Sequence, residues 1–186
     1  MPTTSRSSSR CASPLSSDAF AETWLDHEDR TCRDDRLHRL NWVASLAPKG
    51  NYWLFHGGTA RSLFEEARYC FVYGQFLAAI LLGTAFVEIT IAAQLYASGR
   101  NDAKRAKFSR LLEEALKTGW ISDIEFAHFG RIRVLRNRIA HFREPLEEGT
   151  VEHDALTRQN LPYELLEEDA RIVMNVAMRL LQRDAL

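Results

Sequence analysis

The chain has 186 residues, 46% of them hydrophobic, and a formal net charge of -1, a composition that excludes the low-hydrophobicity, high-charge signature of disorder and allows one sizeable core. Cys11, Cys32 and Cys70 form no Cys-x-x-Cys pair, which argues against a disulfide framework and points to a reducing cytoplasm. The near-neutral total hides a reversal of sign: residues 99–143 carry 11 basic and 5 acidic side chains, a balance of +6, whereas residues 144–186 carry 4 and 10, a balance of -6. A local basic field of that kind suits a polyanionic partner.

Residues 1–17, MPTTSRSSSRCASPLSS, lack the apolar stretch of a secretory signal and are expected to form a disordered tail. Residues 18–61 are charged with sparse Trp and Leu, which predicts an accessory segment of one or two short helices with a turn at residues 48–51. Ser62-Leu63-Phe64-Glu65 reads as a capping box that opens the first bundle helix, ending near Gly74. The run from Phe76 to Ala97 is apolar almost all round, so it predicts a helix buried among neighbours with Leu81, Leu82, Phe86 and Ile89 inside. Glu88 in its middle would be costly in a bilayer, so a core helix is expected here, with no membrane partner.

Residues 98–101 break that helix. Residues 102–117 read as an amphipathic helix with Phe108, Leu111, Leu112, Ala115 and Leu116 inward, closed by Gly119. Ser122-Asp123-Ile124-Glu125 is a second capping-box pattern, and Ile121, Ile124, His128, Ile132, Leu135, Ile139 and Phe142 follow at three- and four-residue steps, predicting one long helix ended by Pro145. A polar loop over residues 144–162 leads to a last amphipathic helix from about Tyr163, with Leu166, Ile172, Val173, Val176, Met178 and Leu180 as its apolar set. Without β alternation or a repeat period, the pattern predicts an all-α antiparallel bundle with extra helices on its N-terminal side.

Arg136-Asn137-Arg138-Ile139-Ala140-His141 places an arginine five residues before a histidine on the long helix. A second Arg-x4-His match, Arg33 to His38, falls in a stretch too charged to offer an apolar face that would fix its side chains. On the long helix, Asn137 and His141 point away from the apolar stripe, together with Phe126, Gly130 and Val134, and this second, partly apolar stripe calls for a second surface. His128 lies on the core stripe and reads as a satisfied core histidine. His56-Gly57-Gly58 reads as a turn or helix cap, and His27, His38, Asp34 and Asp35 as a charged surface, so no metal site and no cofactor is expected.

The segment LRNRIAH at the end of a long bundle helix resembles the Arg-polar-x3-His signature of the HEPN superfamily. Glu65-Glu66-Ala67-Arg68-Tyr69-Cys70-Phe71-Val72-Tyr73-Gly74 and the residues after it resemble the paired first helices of that family, and Glu88 its acidic second-helix position. The resemblance covers residues 62–186. It implies a HEPN-like helical bundle, a homodimer with signature helices facing across a cleft, and RNA cleavage without metal. Arg136, Asn137 and His141 would then be the catalytic set and Glu88 a candidate acidic partner, while Arg133, Arg138 and Arg143 would hold the RNA backbone through counterion release. The residue types suit the chemistry: imidazole transfers protons near neutral pH, and guanidinium stabilises negative charge growing on phosphorus. Toxin-antitoxin, defence or stress biology, with a cognate antitoxin protein as partner, follows from the same resemblance. Family members that receive nucleotide additions carry Tyr two residues beyond the His, where this chain has Arg143. The alternative is a catalytically silent HEPN module that binds RNA or nucleotides or serves as a dimeric scaffold.

Overall fold

The structure, a computed structural model, describes residues 17–47 and 56–183; the expected tail up to residue 16 and the turn expected at residues 48–51 lie outside the described residues. Among the described residues every regular element is helical: α1 (Ser17–Thr31), α2 (Arg33–Leu46), α3 (Gly58–Val72), α4 (Phe76–Ala97), a 3-10 turn (Asn101–Arg105), α5 (Phe108–Lys117), α6 (Asp123–Ala140), α7 (Val151–Arg158) and α8 (Pro162–Arg183). The fold class is all-α, as the patterning predicts. The chain divides into two compact units, one ending at Asp35 and the other running from Arg36. Within the first, α1 leaves Phe20, Trp24 and Leu25 exposed.

The second unit is built around α4, which contacts α3, α5, α6, α8 and the 3-10 turn. By length and composition α4 could cross a membrane. Here its apolarity serves burial: Phe76, Ala79, Ile80, Phe86, Val87, Ile91 and Leu95 all enter the core. Phe86 is buried as expected, whereas Leu82 and Ile89 are half-buried and Leu81 is exposed. A helix apolar on every side carries no moment to mark its core face, so the rotation is set by its neighbours. Each fully buried Phe contributes about 1.5–3 kcal/mol, and Phe64 and Phe86 add a tilted ring pair at 5.3 Å.

Two glycines permit the close packing. Gly74 (φ +78°) closes α3, with Gln75 N–H donating to Cys70 O at 2.8 Å and Gly74 N–H to Phe71 O at 3.2 Å, the paired bonds of a Schellman turn. This turn folds α4 back onto α3. Gly83 lies against α8, where a Cβ would stand 2.6 Å from Val173 Cγ1.

Several helix boundaries differ from expectation. The helix expected from Ser62 begins at Gly58 with Gly57 as its N-cap, so Ser62 is interior, no capping box forms, and Glu65 pairs instead with Arg61 at 2.8 Å. His56-Gly57-Gly58 is thus a helix start, in line with the cap reading. The helix expected from residue 102 is a 3-10 turn followed by α5 from Phe108, while Phe108, Leu111, Leu112 and Ala115 are buried as expected and Leu116 is half-buried. The loop expected over residues 144–162 contains α7, capped by Thr150, whose Oγ1 accepts from His153 N–H at 3.2 Å. Only Val151 and Ala155 are buried in this eight-residue helix, too short a stripe to show as periodicity. The charged second helix does own a packing face, because Arg39 and Val43 are buried and Trp42 packs on the core.

Candidate functional site

Helix α6 begins as the sequence predicts. Ser122 Oγ accepts from Glu125 N–H at 3.3 Å, and Glu125 Oε2 accepts from Ser122 N–H at 2.8 Å, closing the capping box. The buried face is rotated from the expected stripe: Phe129, Ile132 and Leu135 are buried and Ile139 packs against the core, whereas Ile124 is 70% exposed, Phe142 90% exposed and His128 exposed. His128 is therefore a surface histidine. Phe126 and Gly130 are half-buried, and of the expected second stripe Val134 is the residue left open, at 59%. The helix ends at Ala140, ahead of Pro145, with His141 as an extended C-cap (φ -125°, ψ 140°).

Arg136 and Asn137 are half-buried neighbours on the last turns of α6. Arg136 Nη1 donates to Asn137 Oδ1 at 3.1 Å, a bond that steers the guanidinium without cancelling its charge. Both line a cleft of about 270 Å³ with Glu88 from α4, Arg133 from α6, and Lys107, Phe108 and Ser109 at the start of α5. Burial pushes the Glu88 carboxyl above the usual carboxylate range, and the Arg136 charge pulls it partly back. Among the described residues no carboxylate forms an ion pair with Arg136, Arg133 or Lys107. The cleft thus offers three cations and one carboxyl whose ionisation the site disfavours. Lys107, Phe108 and Ser109 carry no signal in the sequence that would assign them to it.

His141 is exposed on a neighbouring surface, lining a second cleft of about 400 Å³ with Leu77, Arg138, Arg143, Glu152 and Leu166 among others. Within one copy, then, Arg136, Asn137 and Glu88 converge on one cleft and His141 faces another. Arg138 is bound to carboxylates on two further helices: Asp169 of α8, in a short contact, and Asp154 of α7 at 3.1 Å. Its side chain is 10% exposed, so its charge is spent on holding α6, α7 and α8 together. Arg143 is partly neutralised by Glu147 at 3.4 Å. Of the three arginines expected to hold RNA, Arg133 is the one that lines the Arg136 cleft, and among the described residues it makes no ion pair.

His38, in the second Arg-x4-His match, is exposed on α2. Among the described residues no three His, Cys, Asp or Glu side chains gather as metal ligands. Compared with family models, curated proteins and solved structures, the chain finds no match, and its function is read from these residues.

Proposed function

We propose that the chain is a metal-independent endoribonuclease of HEPN type that acts as a homodimer. The observation that carries this reading is the cleft between α4, α5 and α6, where Arg136, steered by Asn137, meets Glu88 with Arg133 and Lys107 beside them. A phosphodiester bound there would meet guanidinium groups arranged before the reaction begins. The RNA 2'-hydroxyl attacks the adjacent phosphorus while an imidazole takes its proton; the bond to the 5'-oxygen breaks, that oxygen is protonated, and a 2',3'-cyclic phosphate remains. Arg136 stabilises the charge on the phosphorane oxygens. His141 supplies the proton transfer, and because it faces away from the Arg136 cleft in its own copy, a second copy brings it to the phosphate. In this reading the meeting surface includes Val134, exposed on α6, and His141, exposed at its C-cap. A cognate antitoxin protein would act by covering it.

The separation of His141 from Arg136 also favours a second reading, a silent module that binds RNA without cutting it. One assay chooses. With EDTA present, purified protein is expected to cleave single-stranded RNA to 2',3'-cyclic phosphate ends, to leave the deoxy strand intact, and to lose cleavage in His141→Ala. Binding without cleavage in the wild type selects the silent module. A requirement for a divalent ion, or full activity in His141→Ala, removes the ribonuclease reading. Light scattering tests the assembly: the wild type is expected to be a dimer at micromolar concentration and Val134→Asp a monomer, and a monomeric wild type defeats the composite site.

A further inference from the structure

A third cleft, of about 330 Å³, lies among α2, α6 and α8, on side chains that the ribonuclease reading does not use. Trp42 comes from α2, His128 and Arg131 from α6, and Arg171, Asn175 and Arg179 from α8. The last three recur every fourth residue, so they form one row along α8, and His128 and Arg131 are three apart on one face of α6. Two rows of donors therefore face one concavity.

Its charge is one-sided. Among the described residues no carboxylate lines the cleft. Arg171 is committed, stacked over Trp42 at 4.8 Å and paired with Glu167 at 2.6 Å. Arg131 and Arg179 are exposed; among the described residues neither makes an ion pair or hydrogen bond, and the Arg131 charge reaches Asp169 only electrostatically, where it lowers that carboxyl. The stacked Arg171 and Trp42 form a fixed wall, while the other two guanidinium groups, the His128 imidazole and the Asn175 amide stand available to a ligand. Guanidinium groups match phosphate oxygens in geometry and charge, and an amide and imidazole complete such a site with further donors. His128 and Arg131 come from the basic segment 99–143 and Arg171, Asn175 and Arg179 from the acidic segment 144–186, so the cluster does not follow the net charge of one segment.

We propose that this cleft is a phosphate-binding site, separate from the Arg136 cleft, that takes the phosphate of an RNA strand or of a free nucleotide. The site does not depend on ribonuclease activity, and its test avoids cleavage. Fluorescence anisotropy of a labelled single-stranded 2'-O-methyl RNA, which lacks the attacking hydroxyl, measures strand binding, and calorimetry with AMP measures nucleotide binding. Both are run on wild type, on Arg131→Glu/Arg179→Glu, and on Arg61→Glu/Arg110→Glu, which changes the net charge equally outside the cleft. If a strand is the ligand, the cleft variant loses about tenfold or more in RNA affinity and its salt slope falls by about 2, while the control stays near wild type. If a free nucleotide is the ligand, AMP binds the wild type and the control but not the cleft variant, and RNA affinity is unchanged. Circular dichroism confirms that each variant is folded, and Arg131→Gln/Arg179→Gln, with the same direction of effect, replaces a cleft variant that is not. The proposal is overturned if the cleft variants bind both probes as the wild type does, if the control loses as much as they do, or if neither probe binds the wild type.

Discussion

Arg136 and Arg138 stand two residues apart on α6 and do opposite work. Arg138 turns toward α7 and α8, where Asp154 and Asp169 neutralise it and its side chain is nearly closed to solvent. Arg136 turns toward α4 and α5, where its hydrogen-bond partner is the neutral amide of Asn137 and the acid sharing its cleft, Glu88, is held above its usual range by burial. A guanidinium that meets a full complement of carboxylates is a structural tie. One that is steered by an amide keeps its charge for a ligand. Separating the two needs only the 200° turn that two residues make on an α-helix.

The largest effect should come from breaking the tie. Arg138→Met strands Asp169, which is 8% exposed, and removing one partner of a buried pair costs about 3–5 kcal/mol. Burial already raises the Asp169 carboxyl, chiefly by desolvation, while Arg138 lowers it. Without Arg138 it rises further. A raised folded-state pKa gives stability that is complete below the ordinary carboxylate range and lost as pH climbs through the raised value. Urea denaturation should therefore show the loss in full near neutral pH and a smaller loss in acid. Equal stability of Arg138→Met and wild type near neutrality would show that Arg138 is free for RNA after all.

Arg136→Ala should do the reverse. In the EDTA cleavage assay it is expected to lower the rate by about a hundredfold, the size of effect seen when one group that stabilises a charged transition state is removed. Its denaturation midpoint should stay within about 1 kcal/mol of wild type, because no buried carboxylate loses its partner. If Arg136→Ala unfolds the protein as Arg138→Met does, the distinction between the two arginines collapses.

Spacing in the sequence made the helices legible, since periodicity and the Ser122 capping box are local properties, whereas Glu88 was joined to Arg136 and Asn137 only through the family resemblance. It could not separate Arg136 from Arg138. That difference is made by Asp154 and Asp169, which are 16 and 31 residues away along the chain from Arg138, one of them on a helix too short to announce itself. Arg39 is a parallel case: in a stretch that reads as charged surface it is buried, donating to Val72 O at 3.0 Å and pairing with Glu167 at 3.4 Å. The rotation of α6 was misread for a related reason. Ile124 and Phe142 fit the helical spacing, but Ile124 lies in the first turn of α6 and Phe142 beyond its C-cap, and hydrophobicity alone did not bury them.

The smallest effect expected, and the one that tests the Arg136 cleft without substrate, concerns Glu88. Its carboxyl is raised mainly by burial, with Arg136 acting against the rise. The sign follows from that order: Glu88 favours the folded state fully at pH values below the ordinary carboxylate range, and this contribution is lost as pH rises through the elevated pKa, because the folded chain resists an ionisation that the unfolded chain undergoes freely. Glu88→Gln keeps the shape and cannot ionise. Its stability relative to wild type should therefore improve from acid toward neutral pH, by less than about 1 kcal/mol because the site is half-open to water. Adding Arg136→Ala removes the charge that favours the Glu88 carboxylate, so in that background the gain from Glu88→Gln should grow. A double-mutant cycle of urea denaturation in acid and at neutrality measures both differences. A gain from Glu88→Gln that is the same with and without Arg136, or that runs in the opposite direction with pH, would mean that the two side chains do not share a cleft, and the arginine left free by Asn137 would have lost its acidic partner.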